Sequence, residues 1–128
     1  MILTNLVRQL IAMAVAMLVP AGLWAETSLT IGYLKIAQPR PPTLSNLDPV
    51  PEDSGFAGAR TGLQDNLTTG KFLDQTYELI TAAVGEGEDP LAAAREMLAA
   101  TPYLVIDAGA ADLLNIADLP EASTALLF

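Results

Sequence analysis

The stretch that decides the fold is Asp89 to Ala111, DPLAAAREMLAATPYLVIDAGAA. Asp89-Pro90 starts a helix, because a carboxylate accepts from the open N–H groups of a first turn and a proline there lacks only an N–H that has no partner anyway. Leu91, Ala94 and Leu98 recur at helical spacing as the buried stripe. Thr101-Pro102 ends the helix, since the residue before a proline is pushed out of the helical region. Tyr103 to Asp107, YLVID, is a short, almost wholly apolar strand, and Gly109 to Ala117 begins another helix.

Working outward, the same alternation continues in both directions. Upstream, Thr76 to Val84 reads as a strand closed by the turn Gly85-Glu86-Gly87-Glu88, and Leu29 to Ala37, LTIGYLKIA, reads as a strand buried on both faces. Between them, Asp53 or Ser54 is placed to cap a helix running to about Leu67, with Phe56, Ala59, Leu63 and Leu67 as one apolar stripe. Gly58 and Gly62 lie one turn apart near that stripe. They cost about 1 kcal/mol each against alanine, so a close approach of this helix to a sheet is expected in compensation. Thr68, Thr69 and Gly70 end the helix, with Gly70 suited to a left-handed position. Downstream, after Pro120, Ser123 to Phe128 is expected to begin a fourth strand.

Strand and helix alternating in this way predict an α/β fold, a parallel sheet of Rossmann-like βα units, because parallel neighbours need crossover connections and helices fill them. Right-handed crossovers favour an order in which the second strand lies on one side of the first, and the third and fourth on the other. The switch point then falls between the first and third strands. Its crevice would be walled by the loop after Ala37 and by the turn Ala108 to Ala111. The apolar segment Ser123 to Phe128 would form an open parallel edge, an association hazard, and suggests the N-terminal piece of a larger protein.

The loop after the first strand carries Pro39, Pro41, Pro42, Pro49 and Pro51, which remove backbone donors and exclude both helix and central strand. Its acids, Asp48, Glu52 and Asp53, match no calcium-loop spacing and read as a solvated cluster. Arg40 is its one cation, available to hold an anionic group.

At the other end of the chain, Asn5 to Arg8 is a short polar, basic start, Leu10 to Val19 an uncharged apolar run, and Leu23-Trp24-Ala25 ends on a small residue. This is the layout of a secretory signal peptide over residues 1–25, with cleavage expected after Ala25. The run is too short for a membrane span, which needs roughly twenty residues. Export places residues 26–128 in a bacterial periplasm, where a domain without cysteine relies on burial.

Composition narrows the function classes. The chain has 128 residues, 6 basic against 15 acidic, a formal charge of -9 and neither cysteine nor histidine. Thiol nucleophiles, histidine bases and Cys/His zinc sites are therefore excluded. Scattered cations in an acidic chain do not make a nucleic-acid or anionic-membrane surface. Gly85-Glu-Gly-Glu-Asp-Pro lacks the lysine and third glycine of a phosphate loop.

Two features retain chemistry. Asp107 ends the third strand, where an α/β fold often places a working carboxylate, although a capping or turn role for the next helix is the simpler reading. Ala108, Gly109, Ala110 and Ala111 leave a helix N-terminus sterically open, so its N–H groups can receive an oxygen acceptor. A metal-assisted enzyme built on Asp107 or the acidic loop is a rival that lacks a Gly-x-Ser-x-Gly turn and any histidine.

From Gly58 to Leu73, GARTGLQDNLTTGKFL, the helix ending in Asp-Asn and the Thr-Thr-Gly step into a basic-Phe-Leu stretch resemble the type I periplasmic solute-binding proteins of ABC transporters, the branched-chain amino acid class. The start Leu29 to Leu34 and the segment Pro42 to Pro49 look like the subgroup associated with pyrroloquinoline quinone-dependent alcohol dehydrogenase systems. The resemblance covers Glu26 to Phe128. It implies a non-enzymatic binder with two lobes, of which residues 26–128 would be part of the first, taking a small polar solute and presenting it to an inner-membrane permease, with no resident cofactor or metal. A sensory or scaffold module with the same fold is its near relative. The family's pocket in this lobe uses small hydroxyl residues and backbone groups after the third and fourth strands. Ala108-Gly109-Ala110-Ala111 has no serine or threonine, a departure that argues against an ordinary amino-acid ligand.

Overall fold

The computed structural model describes residues 26–39, 51 and 53–128. Residues 1–25, Arg40, Asp48, Glu52 and most of the proline-rich loop lie outside the described residues. The elements run β1 (Thr27–Ile36), α1 (Phe56–Gly70), β2 (Gln75–Val84), α2 (Pro90–Ala100), β3 (Tyr103–Asp107), α3 (Ala110–Ala117), a 3-10 turn (Pro120–Thr124) and β4 (Leu126–Leu127). The four strands form one parallel sheet in the order β2-β1-β3-β4. This is the α/β arrangement with Rossmann-like units, and the first strand sits between the second and third.

The register explains how one sequence builds two different faces. Successive strand residues point to opposite sides, so Leu34, Ile36, Val84 and Leu104 face α2 and α3 while Ile31, Tyr33, Leu79 and Val105 face α1. On the α2 side, Leu34, Ala94, Leu104 and Ile116 are fully buried, and Met97, Leu119 and Ala122 nearly so. Gly32 permits this packing. An added methyl there would stand 2.8 Å from Leu104 Cδ1, 3.0 Å from Met97 Cε and 3.1 Å from Thr101 Cγ2. Thr101, 2% exposed, ties the helix end to the sheet. Its hydroxyl donates to the Thr30 carbonyl at 2.5 Å and accepts from the Tyr103 N–H at 3.1 Å.

Asp89 caps α2 as its sequence suggests, Oδ1 accepting from the Leu91 N–H at 2.9 Å. The stripe of α2 is shifted from the expected one: Ala94 and Met97 are buried, whereas Leu91 and Leu98 are partly buried against the core. Met97 follows Ala94 by three, so both lie on one face.

Four expectations require correction. The helix α1 has Gly55 at its N-cap with φ 89°, and neither Asp53 nor Ser54 caps it; Asp53 pairs with Arg60 at 3.0 Å. Gly70 is the last helical residue and not a left-handed terminator. Its missing side chain matters because a Cβ would lie 2.5 Å from the Gln75 carbonyl oxygen, and the left-handed residue is Asp74, φ 52°. Among the described residues, an added Cβ at Gly58 or Gly62 meets no atom within 4 Å outside the helix's own backbone, so they are not sites of close helix-sheet approach. The last strand is confined to Leu126–Leu127, because Pro120 starts a 3-10 turn and Ser123 Oγ donates to the Pro120 carbonyl at 2.6 Å.

Beyond Leu127 the pairing with β3 continues, since the Ile106 N–H donates to the Phe128 carbonyl at 2.9 Å. Leu126 and Phe128 remain 57% and 69% exposed, an apolar stripe beside β3.

Candidate functional site

The carboxyl ends of β1 and β3 lie side by side, with Lys35 opposite Asp107. Crossovers leave this point in opposite directions, to β2 on one side and β4 on the other, which makes it the topological switch point at which α/β sheets generally take ligands. The sequence-level placement of the switch point is therefore met by the strand order.

Asp107 stands at this switch point without capping α3, whose N-cap Gly109 has no side-chain cap. The carboxylate instead gathers two side chains of β1 and its exit. Tyr33 Oη donates to Asp107 Oδ2 at 3.4 Å and Gln38 Nε2 to Oδ1 at 3.5 Å, both long bonds. Burial, then the adjacent charge of Asp107 and its hydrogen bond, hold the Tyr33 phenol above the ordinary tyrosine range, so it stays protonated.

The Tyr33 hydroxyl reaches Asp107 across the N-terminus of α1 because Gly55 is there. A methyl at Gly55 would collide with that hydroxyl and lie 3.5 Å from Asp107 Oδ2, and φ 89° already favours glycine. Phe56 then packs edge-on against the Tyr33 ring, centroids 5.2 Å apart. Lys35 Nζ sits 5.5 Å from the Phe56 ring centre and donates to the Ser54 carbonyl at 2.6 Å, clamping the start of α1 to β1.

The turn expected to bind lies beside this group. Ala108 packs against the core, Gly109 is half-buried with its Cβ position 4.0 Å from Gln38 Oε1, and Ala110 and Ala111 are exposed at the first turn of α3. Arg40, the remaining candidate, lies outside the described residues. Tyr33 and Gln38 carry no local sequence signal of this role. Tyr33 looked like one more apolar strand residue, and only the β1-β3 pairing brings its hydroxyl to Asp107.

Among the described residues, no three acids cluster tightly enough to hold a metal ion, and no helix is long and apolar enough to cross a membrane. Compared with known proteins, the chain matches no family model, no curated protein and no solved structure. The site is accordingly defined by its own geometry, a half-buried carboxylate flanked by a phenol, an amide and an open helix start.

Proposed function

We propose that the chain is a non-enzymatic, periplasmic solute-binding component of an ABC uptake system, exported by residues 1–25 and taking a small polar solute in the crevice at the ends of β1 and β3. The observation that carries the reading is the strand order, β2-β1-β3-β4, which puts a topological switch point, the usual ligand position of such sheets, between β1 and β3. The residue-level resemblance of Gly58 to Leu73 and of the first strand supports the transporter class, its permease partner and a link to quinone-dependent alcohol oxidation. The polar lining, Gln38, Asp107 and the N–H groups after Gly109, suits a solute with both donors and acceptors.

The test is a thermal-shift screen of the chain against amino acids, alcohol-derived acids, polyols and the quinone cofactor. A true ligand at 100 times its dissociation constant stabilises by about 2.7 kcal/mol. Stabilisation by a polar solute, lost on Asp107→Ala, is the expected result, and no stabilisation by any of them would reject the reading.

A further inference from the structure

The glycines of α1 stand over a space. Between α1 and the sheet lies a cavity of about 350 Å³, roofed by Gly58 and Gly62 and walled by Ile31, Leu63, Leu79 and Val105. That is the size of a small-molecule pocket, and such pockets are mainly apolar with a few fixed polar atoms. None of the described residues that line it is charged. The two glycines forgo helix propensity, about 1 kcal/mol each, and among the described residues no atom outside their own helix backbone comes within 4 Å of where their side chains would begin.

The two tyrosine oxygens of the cavity share one character. Tyr33, 9% exposed, donates its only hydroxyl proton to Asp107, and Tyr77 donates its own to Gln75 Oε1 at 2.7 Å. Asn66 turns Nδ2 back to the Gly62 carbonyl at 2.8 Å. A phenol whose proton is committed still has lone pairs to offer. The tyrosines therefore present acceptors, and behind Tyr33 stands the Asp107 carboxylate, 3.5 Å from the Cβ position of the lining residue Gly55. An acceptor-lined apolar space with a negative charge at one end complements a cation with hydrogens to donate.

We infer that the space beneath α1 is a binding site for a small apolar molecule bearing a protonated amine, its body against Ile31, Leu63 and Leu79 and its ammonium group donating to Tyr33 Oη. The inference does not rest on the transport reading: the cavity shares Tyr33 with the group at the strand ends, but its body lies under α1, against Ile31, Leu63 and Leu79.

The experiment titrates the isotope-labelled chain with phenethylamine, phenylpropanoate and ethylbenzene, following the Gly58 and Gly62 amides by NMR. Saturable shifts with the amine are expected, with the carboxylate at least about tenfold weaker. Tyr33→Phe should weaken the amine about tenfold and leave ethylbenzene unchanged, because only a hydrogen bond is lost. Gly62→Leu should fill the space and abolish the shifts without lowering the melting temperature. Equal binding of the carboxylate, no saturable shift, or an amine affinity unmoved by Tyr33→Phe overturns the inference. A lowered melting temperature for Gly62→Leu, with or without a change in sedimentation, also overturns it, by showing that the chain or a second copy already fills the space.

Discussion

The two faces of this sheet are made from alternating residues of the same strands, yet one is closed and the other is open. Under α2 and α3, Leu34, Leu104 and Ile116 have no exposure at all, and Gly32 lets Met97 and Leu104 meet over the strand. Under α1, the stripe Phe56, Ala59, Leu63 and Leu67 is only half-buried, and a cavity separates helix from sheet. Glycine has opposite roles on the two sides. At Gly32 it is small because neighbours press on it; at Gly58 and Gly62 none of the described residues does. A glycine on an apolar stripe therefore does not by itself report close packing.

The comparison can be broken most directly by truncating one leucine from each face. Leu104→Ala should destabilise by about 3 kcal/mol, since a fully buried side chain leaves a cavity that its neighbours cannot fill. Leu79→Ala, beside existing space, should cost about 1 kcal/mol. Chemical denaturation of both variants measures the gap, and equal losses would show that the α1 face is packed as tightly as the other.

The next effect is a reversal of sign at glycine. Gly32→Ala should destabilise by about 1 to 2 kcal/mol because its methyl meets three side chains at once. Gly58→Ala and Gly62→Ala should each stabilise by up to about 1 kcal/mol through helix propensity. Melting temperatures moving the same way in all three variants would end the distinction.

The smallest effect concerns alkaline pH. Tyr33 is held above the ordinary tyrosine value in the fold, so below pH 10 it is protonated whether folded or unfolded and its contribution is constant. As pH rises above 10 the unfolded chain loses that proton first, and the contribution is lost progressively up to the raised folded value. Tyr33→Phe should therefore flatten the alkaline decline in stability. An unchanged decline would show that Tyr33 is not the source of the sensitivity.

Much of the fold was readable because its signals are local. Asp89-Pro90 acts through bonds within one turn, and the apolar runs Leu29 to Ala37 and Tyr103 to Asp107 need no partner to be recognised as strands. The sheet order followed from the handedness of crossovers, which is a property of every L-chain. Local signals failed where a local choice had distant competitors. Asp53 and Ser54 were good caps, but Gly55 took the position because the Tyr33 hydroxyl occupies the space a side chain would need. Asp107 has a capping or turn role as its simpler local reading, whereas residues 74 and 69 positions away claim its oxygens. Ser123 and Thr124 sat in an apolar run, yet Pro120 had already committed them to a tight turn.

By itself, then, the sequence determined the element types, their alternation and the place of the switch point, since propensity, capping and chain handedness act over a few residues. Only the tertiary structure decided what gathers there and what stays empty. The Tyr33-Asp107-Gln38 group exists through the pairing of β1 with β3, and the cavity under Gly58 and Gly62 exists through the distance at which α1 settles on the sheet. Both are set by non-local packing, which no window of the sequence contains.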